Sequence, residues 1–79
     1  MRYSREIRAA RALLGWLQED LAKAAKIGLA TIQRIEQTDG LVQANFSTVL
    51  KIQNALEEAG IEFTDDNGWV GVRIAKKQL

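Results

Sequence analysis

The sequence predicts a mainly α fold, four helices followed by a C-terminal β-hairpin, and three observations carry that prediction. Apolar residues recur with a helical period in four stretches before Gly60. The central stretch, Gln18 to Glu36, reads as two short helices joined by a tight turn. Leu21, Ala22 and Ala25 fall at helical spacing, Ile27 sits in the bend, and Ile32 and Ile35 resume the period beyond it. After Gly60 the period changes to two around Asn67-Gly68, a strong hairpin signal.

The first helix runs from Ser4, as its N-cap, to about Leu14, with Ile7, Ala10 and Leu14 as its buried stripe and Gly15 as its stop. Arg5, Arg8 and Arg11 repeat every three residues; Arg5 and Arg8 read as a solvated face. Trp16, between two short helices, is expected to pack rather than to stack on a ligand. Ala22 matters in the second helix, because steeply crossing helices need a side chain no larger than a methyl group at closest contact.

The third helix starts at about Leu29. Ile32 and Ile35 point inward, while Ala30, Gln33, Arg34 and Gln37 lie on the opposite face, flanked by Leu29 and Thr31. A helix presenting amides, one guanidinium and methyl groups suits the edges of base pairs in a major groove. The following loop, Thr38 to Ala44, holds an Asp39-Gly40 turn signal and no basic residue, leaving only Gln43 and backbone amides for a phosphate.

Asn45 or Ser47 caps the fourth helix, whose expected core stripe is Phe46, Val49, Ile52, Leu56 and Ala59, and Gly60 stops it. In the hairpin, pairing about Asn67-Gly68 sets Asp66 opposite Trp69, Phe63 opposite Val72, Glu62 opposite Arg73 and Ile61 opposite Ile74. That register puts apolar pairs on one face and an opposite-charge pair on the other. An isolated hairpin is marginal, so one face should pack on the helices. A free edge then remains for the same strand of a second chain, which makes Trp69, Val70, Val72 and Ile74 the candidate dimerisation residues of a two-fold homodimer whose hairpins join into one sheet.

Composition narrows the function classes. Seventy-nine residues, 47% of them hydrophobic, make one small domain, and without Cys or His it has neither a disulfide nor an ordinary zinc site. A partner subunit is the remaining usual staple. The commonest general base and soft nucleophile are missing too, and no Gly-rich phosphate loop appears; the expectation is a protein that is not an enzyme and uses no cofactor. The charged start MRYSREIR and the absence of a long apolar run point to the cytoplasm and away from a membrane. Net charge is only +1, but residues 1–36 carry +3, residues 37–66 carry −5 and residues 67–79 carry +3.

RAARALLGW (Arg8 to Trp16), QEDLA (Gln18 to Ala22), LATIQRIE (Leu29 to Glu36) and STVLKIQNALEEAG (Ser47 to Gly60) together resemble the Cro/CI-type helix-turn-helix regulators, the XRE family. The resemblance implies a four-helix lambda-repressor-like DNA-binding domain over residues 1–60, with residues 61–79, the hairpin and basic tail, in place of the fifth helix of many members. It implies that Gln18, at the start of the second helix, meets a phosphate with its amide and the free backbone N–H groups there. It also implies that Arg11 pairs with Glu36, tying the first helix to the end of the third. Three positions depart from the pattern. Leu17 stands where Ser, Thr or Asn usually caps the second helix, Lys26 where the turn usually has a left-handed Gly, and Gly28 where a hydroxyl usually caps the third helix.

The reading that follows is a sequence-specific transcriptional regulator, a homodimer on the pseudo-palindromic operator of double-stranded DNA. Arg34 would favour guanine and Gln33 adenine; Leu29, Ala30 and Thr31 would sense thymine methyls; Gln18, Lys26, Gly28 and Lys23 would lie at or near phosphates. The alternative is a protein-binding module, an antitoxin or antiactivator that keeps the fold and masks a protein partner. A third reading, an architectural DNA factor, would show little sequence preference.

Overall fold

The computed structural model describes all of residues 1–79. Four helices, α1 (Ser4–Leu14), α2 (Gln18–Ala25), α3 (Leu29–Gln37) and α4 (Phe46–Glu58), precede strands β1 (Ile61–Asp66) and β2 (Trp69–Ile74) and a single 3-10 turn at Lys76–Gln78. Each short helix buries only one stripe, so none is stable without the others. Ile7 and Ala10 of α1, Leu21, Ala22 and Ala25 of α2, Ile32 and Ile35 of α3, and Ile52, Ala55 and Leu56 of α4 meet in one core, and Ile61 of β1 completes it. Trp16 is half-buried against that core.

The hairpin pairs in the expected register, from Ile61 opposite Ile74 to Asp66 opposite Trp69. Its turn residues have positive φ, 52° at Asn67 and 82° at Gly68, which is the backbone twist that a two-residue connection between twisted strands requires. Phe63, Val72 and Ile74 pack against the helical core from the sheet's inner face. On the outer face the Arg73 guanidinium donates to Glu62 Oε1 at 2.6 Å. Val72 and Ile74 therefore turn their side chains to their own core; Val70 lies on the same face farther along the strand, where it is exposed, and Trp69 projects from the outer face.

Two expected assignments are corrected. Ser4 is not the cap of α1 but lies inside it, fully buried, and its Oγ donates to the Ile35 carbonyl at 3.0 Å. Tyr3 occupies the cap position, where its N–H and that of Arg2 donate to the Glu6 carboxylate at 2.9 and 2.7 Å. Ser4 thus satisfies a carbonyl near the end of α3, where helical partners run out. Substituting Ser4→Ala is expected to cost about 1 kcal/mol in a denaturation titration, because it removes that bond in the interior.

Phe46 is likewise not in the core: it is 79% exposed, while Ala55 is buried. Six residues before Ile52, Phe46 lies about 120° around α4 from the buried stripe by the helical period. Asn45 rather than Ser47 caps α4, its Oδ1 accepting from the Thr48 N–H at 2.9 Å.

One contact has no counterpart in the sequence pattern. Tyr3 bridges antiparallel to Leu41, with the Val42 N–H donating to the Arg2 carbonyl at 2.8 Å and the Ser4 N–H to the Gly40 carbonyl at 2.9 Å. The loop after α3 is thereby fastened to the chain's first residues, and Arg2 reaches on to Asp65 of the hairpin at 3.3 Å.

Candidate nucleic-acid interface

Ile32 and Ile35 anchor α3 by its buried side, which fixes what the other side presents. Ala30, Gln33, Arg34 and Gln37 are exposed there, and Leu29 and Thr31 are half-buried at its start. With Arg8 and Arg11 of α1, Gln18 of α2 and Glu36, four of these residues line an open polar concavity of about 680 Å3.

The back wall of that concavity is an ion-pair network built on Glu36. Its side chain is 3% exposed and that of Arg11 19%. Arg11 donates in bidentate fashion, Nε to Oε2 at 2.8 Å and Nη2 to Oε1 at 2.6 Å, and sends Nη1 to the Trp16 carbonyl at 3.0 Å. Gln18 adds Nε2 to Glu36 Oε1 at 3.3 Å. One carboxylate from α3 thus holds α1 and α2 together, and a buried charge is tolerated because several donors surround it. The Gln18 amide, expected at a phosphate, has one donor committed inward, so its side chain is held in place at the first turn of α2.

Arg8 corrects another expectation. It is not a solvated residue: it is half-buried, donates to the Glu36 backbone carbonyl, and reaches Asp39 Oδ1 at 3.0 Å. A guanidinium on the last carbonyls of α3 complements the negative end of the helix dipole. Asp39, two residues beyond the end of α3, is compensated by Arg8 and, at 3.9 Å, by Arg5.

All four arginines of the N-terminal segment and α1 are thus engaged within the chain, and Arg73 pairs with Glu62. The basic residues of α2, the turn and α3 are in none of these pairs: Lys23, Lys26 and Arg34 are all exposed and uncommitted. Lys51 of α4 and Lys76 and Lys77 beyond β2 are likewise exposed and unpaired, so the free cations of the helix-turn-helix segment are Lys23, Lys26 and Arg34.

The three unusual positions around the turn have distinct local solutions. Leu17 has no side-chain oxygen for the α2 N-terminus, but Asp20 Oδ2 accepts from the Leu17 N–H at 2.8 Å, preserving half of a reciprocal cap. Lys26 adopts the left-handed conformation, φ 58° and ψ 47°. Gly28 takes the cap position of α3 in extended backbone, and its carbonyl accepts from Thr31 and Ile32. Replacing Lys26→Gly is expected to raise stability by about 1 kcal/mol, since the left-handed backbone carries no Cβ penalty in glycine, while weakening binding to any DNA. A thermal melt and a DNA titration of the same variant check both signs.

Leu17 adds an apolar element to this surface. It is 66% exposed, and with Leu29 it lines a second hollow beside Gln18 and Gln33. Its exposure follows from standing at a cap position, outside the packed stripe of α2. No helix is long and apolar enough to cross a membrane.

A family model described as helix-turn-helix matches residues 7–59, which takes in all four helices except the first three residues of α1. No curated protein matches the chain.

Proposed function

Because the chain belongs to the helix-turn-helix family of Cro/CI-type, or XRE, regulators, a DNA-binding family, we propose that it is a sequence-specific transcriptional regulator acting as a homodimer on a pseudo-palindromic operator. The observation that carries this reading is the partition of its cations: the α1 arginines are spent on structure, while Arg34 stands free beside Gln33 and Ala30 on the outer face of α3. Arg34 would pair with the O6 and N7 of guanine, Gln33 with adenine, and Leu29, Ala30 and Thr31 would contact thymine methyls. Lys26, Lys23 and the first turn of α2 at Gln18 would hold the phosphates that set the register. Two copies would place α3 in successive major grooves about 34 Å apart.

The test is a titration of the purified protein against its own upstream DNA and a scrambled duplex at two salt concentrations. Selective binding is expected, weakening with salt by about 0.9 in the log–log slope for each phosphate neutralised. Exposed Leu17 beside Leu29 favours a second reading, an apolar contact with a protein partner. In that case affinity for the partner would change little with salt, and DNA would not be bound.

A further inference from the structure

The hairpin has two edges, and they differ in kind. No third strand pairs with either β1 or β2. β1, IEFTDD, carries three acidic residues, and charge along an edge is a usual guard against pairing with another chain. β2, WVGVRI, carries only Arg73 and has no proline, lysine or bulge. The Ala75 N–H bonds to the Gly60 carbonyl at 3.0 Å, which sets the phase of the ladder. By the alternation of an antiparallel pair, the backbone groups of Gly71 and Arg73 face β1, whereas those of Val70 and Val72 point off the open edge.

The geometry points to a second copy of this chain as the occupant of the β2 edge, forming a four-stranded sheet with a two-fold axis at Gly71. This rests on the homodimer reading above and specifies its joint. In this register Val70 of one copy lies opposite Val72 of the other, so that about four backbone hydrogen bonds close the joint. Val70, exposed in the single chain, gains apolar cover on the inner face. On the outer face Trp69, 79% exposed, comes opposite Arg73 of the second copy. Arg73 is held by Glu62 in its own chain, and its guanidinium suits the face of an indole. Gly71 leaves room on the axis where the strands approach most closely.

The position of this edge suits an operator-binding dimer. Val70 lines a hollow shared with Tyr3, Arg5, Asp39 and Gly40, so the joint lies beside the loop that leaves the C-terminal end of α3. A two-fold there brings the ends of both reading helices toward the axis. The acidic Asp65 and Asp66 at the hairpin tip make the exposed indole a poor surface for DNA and leave a protein partner as its match.

Sedimentation equilibrium of the full chain, wild type and Val70→Pro, tests the edge. Proline at position 70 removes an outward N–H without touching the internal ladder. The expected result is a wild-type dimer and a Val70→Pro monomer with an unchanged circular dichroism spectrum. The register is tested in a sequence that has no native Cys. Trp69→Cys and Arg73→Cys variants, mixed and oxidised, should form a covalent dimer, whereas neither alone should do so. A wild type that is monomeric at 200 µM or so, far above a typical working affinity, a Val70→Pro variant that dimerises like wild type, or cross-linking of either variant with itself in place of the mixture would overturn the joint. Sequence-selective DNA binding by a protein with any of those results would leave the DNA-reading part of the proposed function standing without this joint, while a dimer that passes both tests and binds no DNA would remove that reading and keep the joint.

Discussion

Glu36→Ala is expected to unfold the protein or bring it close to unfolding. The substitution leaves the half-buried Arg11 guanidinium without its bidentate partner and frees the Gln18 amide, cutting α3 from α1 and α2 at one point. Removing one partner of a buried ion pair costs about 3–5 kcal/mol, because the remaining guanidinium, only 19% exposed, loses its counter-charge. A domain of this length has a total stability of roughly 4–12 kcal/mol, so the loss is a large share of the whole. In a thermal melt it corresponds to a fall of roughly 12–40 °C. The double substitution Arg11→Met with Glu36→Leu should cost much less than the sum of its parts, since it removes both charges and keeps the volume. A single substitution costing under about 1 kcal/mol would place this pair with ordinary surface ion pairs.

Arg34→Ala should show the opposite pattern, intact stability and impaired reading. Arg34 is exposed and makes no ion pair, so its truncation should move stability by no more than about 0.5 kcal/mol. Loss of a bidentate guanine contact should cost roughly 1–3 kcal/mol of operator affinity and relax discrimination at one base pair in each half-site. Measuring the variant on a set of singly substituted operators separates the two kinds of contact. A loss confined to one position marks base reading, whereas an equal loss on every duplex with a shallower salt slope marks a phosphate contact. Lys26→Gly supplies the reference for the second behaviour.

The parts of the fold that were legible from sequence are those set by local chemistry. Asn67-Gly68 admits few turn conformations, and strict alternation on both sides leaves a single register that buries Ile61, Phe63, Val72 and Ile74, so every hairpin pair could be written down in advance. The outer face of α3 was legible because Ile32 and Ile35 orient the helix and periodicity does the rest. What was not legible depends on distant parts of the chain. A serine before an apolar run reads as a cap whether or not the end of another helix lies above it, and Ser4 instead bonds Ile35, 31 residues away. Arg8 and Arg5 have the same spacing in sequence, yet only Arg8 meets the last carbonyls of α3. Phe46 reads as the first member of the α4 core stripe, but the stripe drifts over its length, and centred on Ile52, Ala55 and Leu56 it leaves Phe46 outward. The pairing of Tyr3 with Leu41 joins two segments too short and irregular to carry any period.

The proposal that α3 reads DNA as one half of a two-fold dimer is tested most directly by selecting duplexes from a random-sequence pool with the purified wild-type protein. The expected outcome is an enriched motif with two inverted half-sites, centres about 10–10.5 base pairs apart, each containing a guanine whose enrichment disappears with Arg34→Ala. A folded protein that enriches no sequence would contradict the account and move the search for its partner to proteins that bind the exposed surface around Leu17 and Leu29.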